Sequence, residues 1–279
     1  MLRAALVQLN VGDDPAANLP GTLAFVAEAA RGGAQLVLTP EATNLLTPDR
    51  ERQRTLLRHE ADDPTLAALR AAAAEWRIWL SVGSLSLRHD DPDEPRFVNR
   101  SFLIAPDGGI AARYDKIHMF DVNIDGRAIR ESAAFRPGAR AVLARGPWPM
   151  GLTICYDMRF PALYRRLALA GARLLTVPAA FHPTTGAAHW HVLLRARAIE
   201  TGCFLLAAAQ TGTHPAPHSE GREPRRSYGH SLAVAPWGEV LADAGEAPGV
   251  TLVDLDPARV AEARARVPAW RHDPVIWGP

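Results

Sequence analysis

Three residues that could act together in covalent hydrolysis follow strand-like segments of the chain. Glu41 follows Gln-Leu-Val-Leu-Thr-Pro, Lys116 follows a strand near Ile104 and a Pro-Asp-Gly-Gly turn, and Cys155 follows Met-Gly-Leu-Thr-Ile. The carboxyl ends of strands are where α/β folds gather reactive groups. A cysteine nucleophile needs a base, and its tetrahedral oxyanion needs a cation or an N–H donor. Glutamate, lysine and cysteine together meet those needs without histidine.

Lys116 is the only lysine in a chain that carries 31 lysines and arginines in total. An ammonium is a compact charge with rotatable donors, whereas guanidinium is a wide planar fork. A chain so biased toward arginine is expected to keep a lysine where arginine cannot do the same task. The alternative is that the lysine survived by chance as a surface charge.

The segment around Cys155 predicts a reactive turn. Cys155 leads into Tyr-Asp-Met-Arg-Phe-Pro, and Pro161 suits the first turn of a helix, so the thiol is predicted on a strand-to-helix elbow. A lone cysteine at the end of an apolar strand is more often an inert core residue. The second cysteine, Cys203, lies inside a strand-like run, so both thiols are expected to be reduced.

Composition favours small-molecule chemistry in one domain spanning residues 1–279. The chain is 48% hydrophobic and 22% charged with a formal net charge of +1, which indicates a globular protein without the basic stripe of a nucleic-acid platform. The apolar N-terminal run is too short for a signal peptide, and there is no apolar run of about 18 residues. We therefore expect a cytoplasmic protein with no membrane partner.

Short strand-like runs alternate with helical stretches, which predicts a layered α/β architecture. Helices are predicted over 15–31, 64–76, 161–170, 189–201 and 257–266. Strands are predicted over 4–11, 35–39, 79–87, 98–105, 150–155, 173–178, 203–210, 229–235 and 250–255. The stretch 214–226 is rich in proline, serine, glycine and charge and is predicted to be a long loop, with His214 and His218 solvated. This pattern alone does not separate a sandwich from an eight-stranded barrel.

Three motifs in order make the chain resemble the nitrilase superfamily of carbon–nitrogen hydrolases. They are Leu-Thr-Pro-Glu41, Tyr-Asp-Lys116-Ile-His, and Gly-Leu-Thr-Ile-Cys155-Tyr-Asp-Met-Arg-Phe-Pro. Flanking similarity includes Asn99-Arg100-Ser101, Glu131-Ser132, the stretch 188–200, and Tyr228-Gly229-His230-Ser231. Within the superfamily the chain is most similar to the Nit branch, which includes deaminated glutathione amidase and ω-amidase.

Two positions depart from the branch pattern. Ala162 stands where Arg-Phe-Pro is usually followed by glutamate, and His191 stands where His-Trp-Glu is usual. Ala162 is not expected to affect catalysis. His191 is predicted to border the pocket, which leaves the choice of substrate open.

The resemblance implies a four-layer αββα sandwich and a homodimer or higher homo-oligomer. It implies that Glu41 is the base, that Cys155 is the nucleophile, and that Lys116 and the Tyr156 N–H stabilise the oxyanion. Glu131 resembles the family's second glutamate. Further predicted substrate-binding or pocket-lining residues are Arg159, His191, Gln210, Tyr228 and His230, although Arg159 also suits a local structural role. No metal or organic cofactor is implied.

The resemblance favours hydrolysis of deaminated glutathione, with 2-oxoglutaramate and N-carbamoyl amino acids as alternative substrates. Two other classes stay open. A zinc hydrolase needs three ligands, but His189 and His191 are two residues apart on a predicted helix and point to different faces. A catalytically silent binding protein on the same fold is the second, since one fold carries many functions.

Overall fold

Helices and strands alternate along the described part of the chain, residues 1–124 and 126–272 of a computed structural model. Residue 125 and residues 273–279 of the predicted single domain lie outside the described residues. The helices are α1 (Pro15–Arg31), α2 (Arg50–Leu56), α3 (Pro64–Trp76), α4 (Pro161–Leu169), α5 (Pro183–Thr201) and α6 (Ala258–Arg266).

The strands form two large sheets and two separate hairpins. In chain order they are β1 (Leu2–Gln8), β2 (Leu36–Leu38), β3 (Trp79–Arg88), β4 (Phe97–Ile104), β5 (Ile110–Asp115), β6 (Asp121–Ile124), β7 (Arg127–Arg130), β8 (Val142–Arg145), β9 (Pro149–Leu152), β10 (Leu174–Thr176), β11 (Phe204–Ala207), β12 (Thr211–Thr213), β13 (Arg226–Tyr228), β14 (Leu232–Val234), β15 (Val240–Asp243) and β16 (Gly249–Leu255). One six-stranded sheet has the order β16-β1-β2-β3-β4-β5, and the other has the order β15-β14-β11-β10-β9-β8. The hairpins are β6–β7 and β12–β13.

Side-chain alternation along β1 shows how the layers stack. Ala4 and Leu6 pack into the core shared with the second sheet and helices α4 and α5, whereas Ala5 and Val7 pack against α1 and α3. Successive residues of a strand point to opposite faces, so a strand that is apolar at both sets of positions must be covered on both sides. The result is a four-layer αββα sandwich, as expected.

The predicted helices match the structure except at the boundaries of three of them. Helices α1 and α3 have the predicted bounds, each with a proline in its first turn and an aspartate cap, Asp14 and Asp63. The predicted start of α5 at residue 189 is wrong, because Pro183 already opens the helix after His182. Helix α4 ends one residue early at Leu169, and α6 begins one residue late at Ala258.

Several strand predictions differ from the structure near the motifs. The strand predicted over 150–155 ends at Leu152, and Cys155 instead begins a 3₁₀ helix, Cys155–Arg159. Strand β5 was not predicted, so Lys116 follows that strand directly rather than the turn. The β6–β7 hairpin was not predicted either, because its residues are largely exposed and form no apolar strand pattern in the sequence.

The stretch 214–226 is a loop up to its last residue, where Arg226 begins β13. His218 is exposed, as predicted, but the prediction that His214 is solvated is wrong. His214 is buried because its Nδ1 faces Val11 O at 2.8 Å and its Nε2 faces Ser227 Oγ at 2.7 Å. Within the described residues, none of the helices is long and apolar enough to cross a membrane.

Candidate active site

Glu41 lies in a buried position just beyond the end of β2. Its Oε2 accepts a hydrogen bond from the Ala180 N–H at 2.8 Å, and its Oε1 accepts one from Asn99 Nδ2 at 2.9 Å. Only 6% of Glu41 is exposed. These donors hold the carboxylate in one orientation, which a base must have before substrate arrives.

Lys116 follows β5 and is the buried cation of the site, with 2% exposure. Its Nζ donates to Glu41 Oε1 at 2.8 Å and lies 2.9 Å from both carboxylate oxygens of Glu131. A buried charge is tolerated only when it is paired and hydrogen-bonded. The two glutamates therefore hold the ammonium in place between them.

Glu131 opens a short 3₁₀ helix, Glu131–Ala133, immediately after β7. Its Oε2 also accepts a hydrogen bond from the Phe120 N–H at 2.6 Å. Asn99 Nδ2 lies 3.5 Å from Glu131 Oε1, so this amide faces both glutamates. Glu131 thus provides Lys116 with a second carboxylate partner beside Glu41.

Cys155 lies at a strained turn beyond β9, in the second sheet. Its φ is 47°, a left-handed conformation that costs energy for any residue other than glycine. Its N–H donates to Pro178 O at 2.9 Å, and its thiol lies beside the Glu41 carboxylate, whose charge acts on it. The predicted elbow is present, and it brings Cys155, which follows one sheet, against Glu41 and Lys116, which follow strands of the other.

The charges of the site are set by burial and by one another. Burial raises the pKa of Glu41, but the Lys116 ammonium and the donated hydrogen bonds outweigh this and hold that pKa below its usual value. Burial lowers the pKa of Lys116, yet the negative charges of Glu131 and Glu41 leave it raised. Burial and the charge of Glu41 raise the pKa of the Cys155 thiol. At neutral pH the resting site therefore holds a carboxylate, an ammonium and a neutral thiol.

Asp157 connects the lysine motif to the cysteine motif. This fully buried carboxylate accepts hydrogen bonds from the Ile154 N–H at 2.9 Å and from Tyr114 Oη at 2.6 Å. It also accepts from the His118 N–H at 3.0 Å and lies 2.7 Å from His118 Nδ1. Tyr114 and His118 flank Lys116, so the relative positions of Lys116 and Cys155 depend on this carboxylate.

The cluster lies in a cavity of about 690 Å³. Its wall includes the β6–β7 hairpin and the end of the 214–226 loop. The lining residues with charged side chains are Glu41, Lys116, Glu131 and Glu223 together with the five arginines Arg50, Arg127, Arg130, Arg225 and Arg226. Arginine is the residue best suited to bidentate carboxylate binding, so the wall is chemically matched to an anionic ligand.

The arginines on this wall differ in whether their side chains form hydrogen bonds and ion pairs within the protein. Arg127 forms an ion pair with Glu223 at 2.5 Å, and Arg130 donates to the carbonyl oxygens of Val122 and Ile129 at 2.8 Å each. Within the described chain, Arg225 and Arg226 make no side-chain hydrogen bond or ion pair. These two exposed cations are available to a ligand.

Two of the predicted substrate-binding residues lie on the cysteine elbow. Tyr156 lines the cavity, and its backbone N–H is in the first turn of the 3₁₀ helix, where donors have no partner within the helix. Arg159 does not line the cavity. Its guanidinium lies 5.7 Å from the Tyr156 ring centroid and 5.5 Å from that of Phe181, which is the local structural role weighed from sequence.

Three further predicted residues also lie outside the cavity lining. Gln210 is fully buried, and its Nε2 donates to Glu41 O at 3.0 Å, so it supports the backbone of the base. Tyr228 stacks on His230 with ring centroids 4.6 Å apart. His191 faces Asp243, with Nε2 2.8 Å from Oδ2, because its position on α5 points away from the sheets' interface. The expectation that these three residues and His230 border the pocket is not met.

Asn99 and Asp157 are site residues that sequence reasoning did not single out. Both occur within the quoted motifs, Asn-Arg-Ser and Cys-Tyr-Asp, so a signal was present. Their roles depend on long-range contacts, since Asn99 Nδ2 reaches Glu41, which is 58 residues away. Neither spacing nor periodicity reports such a contact.

A family model for carbon–nitrogen hydrolases matches residues 3–265 of the chain. Among curated proteins, the deaminated glutathione amidase of Bos taurus is 39% identical over 272 residues, covering 96% of this chain and 80% of the bovine protein. That of Yersinia enterocolitica is 38% identical over 274 residues, covering 96% of this chain and 92% of its own.

Solved structures give the same result for the fold. The NitFhit protein of C. elegans superposes with a TM-score of 0.87 at 35% identity, over 98% of this chain and 65% of the longer NitFhit chain. A glutamate-to-glutamine mutant of an amidase from Nesterenkonia sp. AN1 superposes with a TM-score of 0.76 at 30% identity, over 96% of this chain and 98% of its own. That structure shows the Michael addition of acrylamide at its active-site cysteine.

Proposed function

The chain belongs to the carbon–nitrogen hydrolase family and is an amidase, and from that premise we propose that it hydrolyses deaminated glutathione, 2-oxoglutaramyl-Cys-Gly, through a Cys155 thioester. The observation that carries the proposal is the buried Glu41–Lys116–Glu131 ion cluster against the Cys155 thiol. The cavity beside it is lined by Arg225 and Arg226, which have no ion-pair partner among the described residues. The names of the relatives support the substrate.

Acylation in this proposal begins with the neutral thiol. As Cys155 Sγ attacks the amide carbonyl carbon, the thiol proton moves to the neighbouring Glu41 carboxylate. The carbonyl oxygen becomes an oxyanion that Lys116 Nζ and the Tyr156 N–H stabilise. Glu41 then gives its proton to the amide nitrogen, the C–N bond breaks, and the amine leaves the thioester.

Deacylation reuses the same carboxylate. Glu41 removes a proton from a water molecule, which attacks the thioester carbonyl carbon at the same oxyanion site. Collapse of this second tetrahedral intermediate breaks the C–S bond, releases the carboxylic acid product, and returns the proton to Cys155. Glu131 keeps Lys116 positioned throughout and does not itself transfer a proton.

The size and charge of the cavity favour deaminated glutathione over the smaller 2-oxoglutaramate as the substrate. Deaminated glutathione carries a carboxylate at each end, and 2-oxoglutaramate carries one on a five-carbon chain. A cavity of about 690 Å³ is within the range of drug-sized ligand sites and is far larger than a five-carbon acid needs. In this proposal Arg225 and Arg226 bind the carboxylate of deaminated glutathione that is farther from the scissile amide bond.

The test is a steady-state comparison of kcat/KM for deaminated glutathione, 2-oxoglutaramate, N-carbamoyl amino acids and simple nitriles. We expect deaminated glutathione to rank first. Replacing Arg225 and Arg226 together by glutamine should raise its KM roughly tenfold with little change in kcat, since exposed charge pairs contribute about 1 kcal/mol. Arg222→Gln is the matched control, because Arg222 pairs with Asp49 at 3.4 Å and does not line the cavity.

Two outcomes would contradict the proposal at different levels. An N-carbamoyl amino acid or a nitrile turned over at least tenfold better than both oxo-amides would remove the substrate assignment while leaving the thioester mechanism intact. No ammonia or acid release from any of these substrates by a folded protein would instead favour a catalytically silent binding protein.

We also infer that the enzyme works as a homodimer without a cofactor, in the cytoplasm. Val192 and Ile199, seven residues apart on α5, are 67% and 54% exposed, and an apolar face of this kind suits contact with a second copy. Sedimentation of the wild-type chain and of Val192→Glu tests the dimer. A monomeric wild-type chain would contradict this inference.

A further inference from the structure

Two histidines and one aspartate meet at a site that the amide hydrolysis does not use. His191 comes from α5, His230 from the turn after β13, and Asp243 from the end of β15. One ligand atom from each lies within 4.8 Å of the others. His191 Nε2 is 2.8 Å from Asp243 Oδ2, and His230 Nδ1 is 2.9 Å from Asp243 Oδ1.

The Asp243 carboxylate has no arginine or lysine partner among the described residues. Within the described residues, the ion-pair partners of Asp243 are His191 and His230. Asp243 Oδ1 also accepts a hydrogen bond from the Gly245 N–H at 2.9 Å, which fixes the orientation of the carboxylate. A carboxylate beside two imidazoles is attractive to a divalent cation.

His230 is held firmly enough to act as a ligand. Its φ is 58°, an uncommon conformation fixed by a hydrogen bond from its N–H to Gly245 O at 2.7 Å. Trp190 Nε1 donates to His230 O at 2.8 Å, and the Tyr228 ring stacks on the imidazole at 4.6 Å. Pre-organised ligands lose little entropy when a metal binds.

We propose that His191, His230 and Asp243 form a binding site for a divalent transition-metal ion such as Zn²⁺, separate from the catalytic cavity. Two imidazole nitrogens and one carboxylate oxygen are a ligand set that zinc accepts, with water completing a tetrahedron. None of the three residues lines the cavity, so the ion has no place in the thioester chemistry.

Binding requires only local rearrangement of these side chains. Around a tetrahedral ion at about 2.0–2.1 Å, ligand atoms lie roughly 3.3 Å apart, so the carboxylate moves outward slightly and the most distant pair draws closer. The imidazole nitrogens that face Asp243 are the ligand atoms, and each must be free of a proton when the ion binds. No redox step is involved.

The experiment is a calorimetric titration of the full Cys155→Ala chain with Zn²⁺, so that the catalytic thiol cannot bind the metal. Wild-type protein alkylated at Cys155 provides a second preparation. We expect one equivalent per chain in both, together with a raised Tm, because an ion that binds only the folded state stabilises it.

Variants then locate the ion. His191→Gln and Asp243→Asn should each weaken zinc binding about tenfold or more and lose the Tm increase, as ligand loss does at metal sites. His189→Gln is the matched control. It removes a histidine from the same helix, where His189 Nδ1 lies 3.3 Å from Arg159 Nη2 and takes no part in the cluster.

Binding that survives both cluster variants, or that His189→Gln weakens equally, would overturn the proposal. So would a titration in which neither of the two preparations takes up zinc while circular dichroism shows that both are folded. Neither result would bear on the amidase activity, which requires no occupant at this cluster.

Discussion

Tyr114 Oη donates a 2.6 Å hydrogen bond to Asp157 Oδ2, and this contact joins the strand leading to Lys116 to the elbow that carries Cys155. Both residues are essentially buried. Tyr114 lies in β5 of one sheet, and Asp157 lies in the 3₁₀ helix that follows β9 of the other sheet, so the contact spans the sandwich interface. It fixes the position of Lys116 relative to Cys155, which neither sheet could do alone.

Tyr114→Phe should lower both kcat and stability. The phenyl ring keeps the packing, but Asp157 loses one donor, and a hydrogen bond to a charged group is worth about 1.5–3 kcal/mol. We expect that loss in the free energy of unfolding measured by urea, with a fall in kcat that exceeds any change in KM.

Thr22→Val provides the control for this variant. Thr22 Oγ1 donates to Asn18 O within α1, on the outer layer of the sandwich, so its loss should reduce stability without reducing kcat. Equal kcat in the wild-type and Tyr114→Phe enzymes would show that the Tyr114–Asp157 contact is structural alone.

Cys155→Ala should abolish turnover, whereas Cys203→Ala should keep it. Both thiols are buried. The Cys155 thiol faces Glu41, whereas Cys203 directly precedes β11 and its Sγ lies 3.2 Å from Ala172 O. Turnover is measured with the preferred amide, and circular dichroism checks folding. Retention by Cys155→Ala of a tenth of wild-type activity would end the covalent mechanism.

Lys116→Arg should reduce kcat by roughly 10²–10³, the loss expected for one oxyanion donor. The guanidinium keeps the charge but is too wide for a position with 2% exposure between two carboxylates. Single-turnover measurements separate the chemical step from binding. If the Lys116→Arg variant kept a third of the wild-type kcat, Lys116 would serve only to balance the charges of the two glutamates and would not stabilise the oxyanion.

Acid pH should destabilise the protein partly through His214. Burial lowers the pKa of His214 from 6.5 to about 4, with the charge of Arg225 acting in the same direction against the hydrogen bond to Val11. Between pH 6.5 and pH 4 the unfolded chain binds more protons than the folded one. The contribution of His214 to the free energy of unfolding is therefore fully present above about pH 6.5, and it falls by about 3 kcal/mol as the pH drops toward 4.

Urea unfolding at several pH values from 7 to 4 measures this dependence. His214→Gln should flatten the slope in that window, whatever it costs at pH 7, and the exposed His218→Gln should leave the slope unchanged. An unaltered slope in the His214 variant would place the acid sensitivity elsewhere.

Local features of the sequence were enough to predict helices α1 and α3 and the three motif residues. Pro15 and Pro64 each open a helix where predicted, because proline fits the first turn and carries no donor that the turn would leave unpaired. The reactive positions of Glu41, Lys116 and Cys155 were visible as chemically apt side chains following apolar runs. Their family motifs supplied the four-layer arrangement that periodicity could not.

Only the tertiary structure decided which residues meet in space. Asn99 reaches Glu41 across 58 positions, and Gln210 reaches the same residue across 169, so neither contact leaves a local trace. His191, expected at the pocket, faces Asp243 instead, 52 residues away. The sequence determined the identity and local geometry of each reactive group, because propensity and caps act within a few residues. The packing of the two sheets decided the partners of each group, because that packing sums many distant contacts.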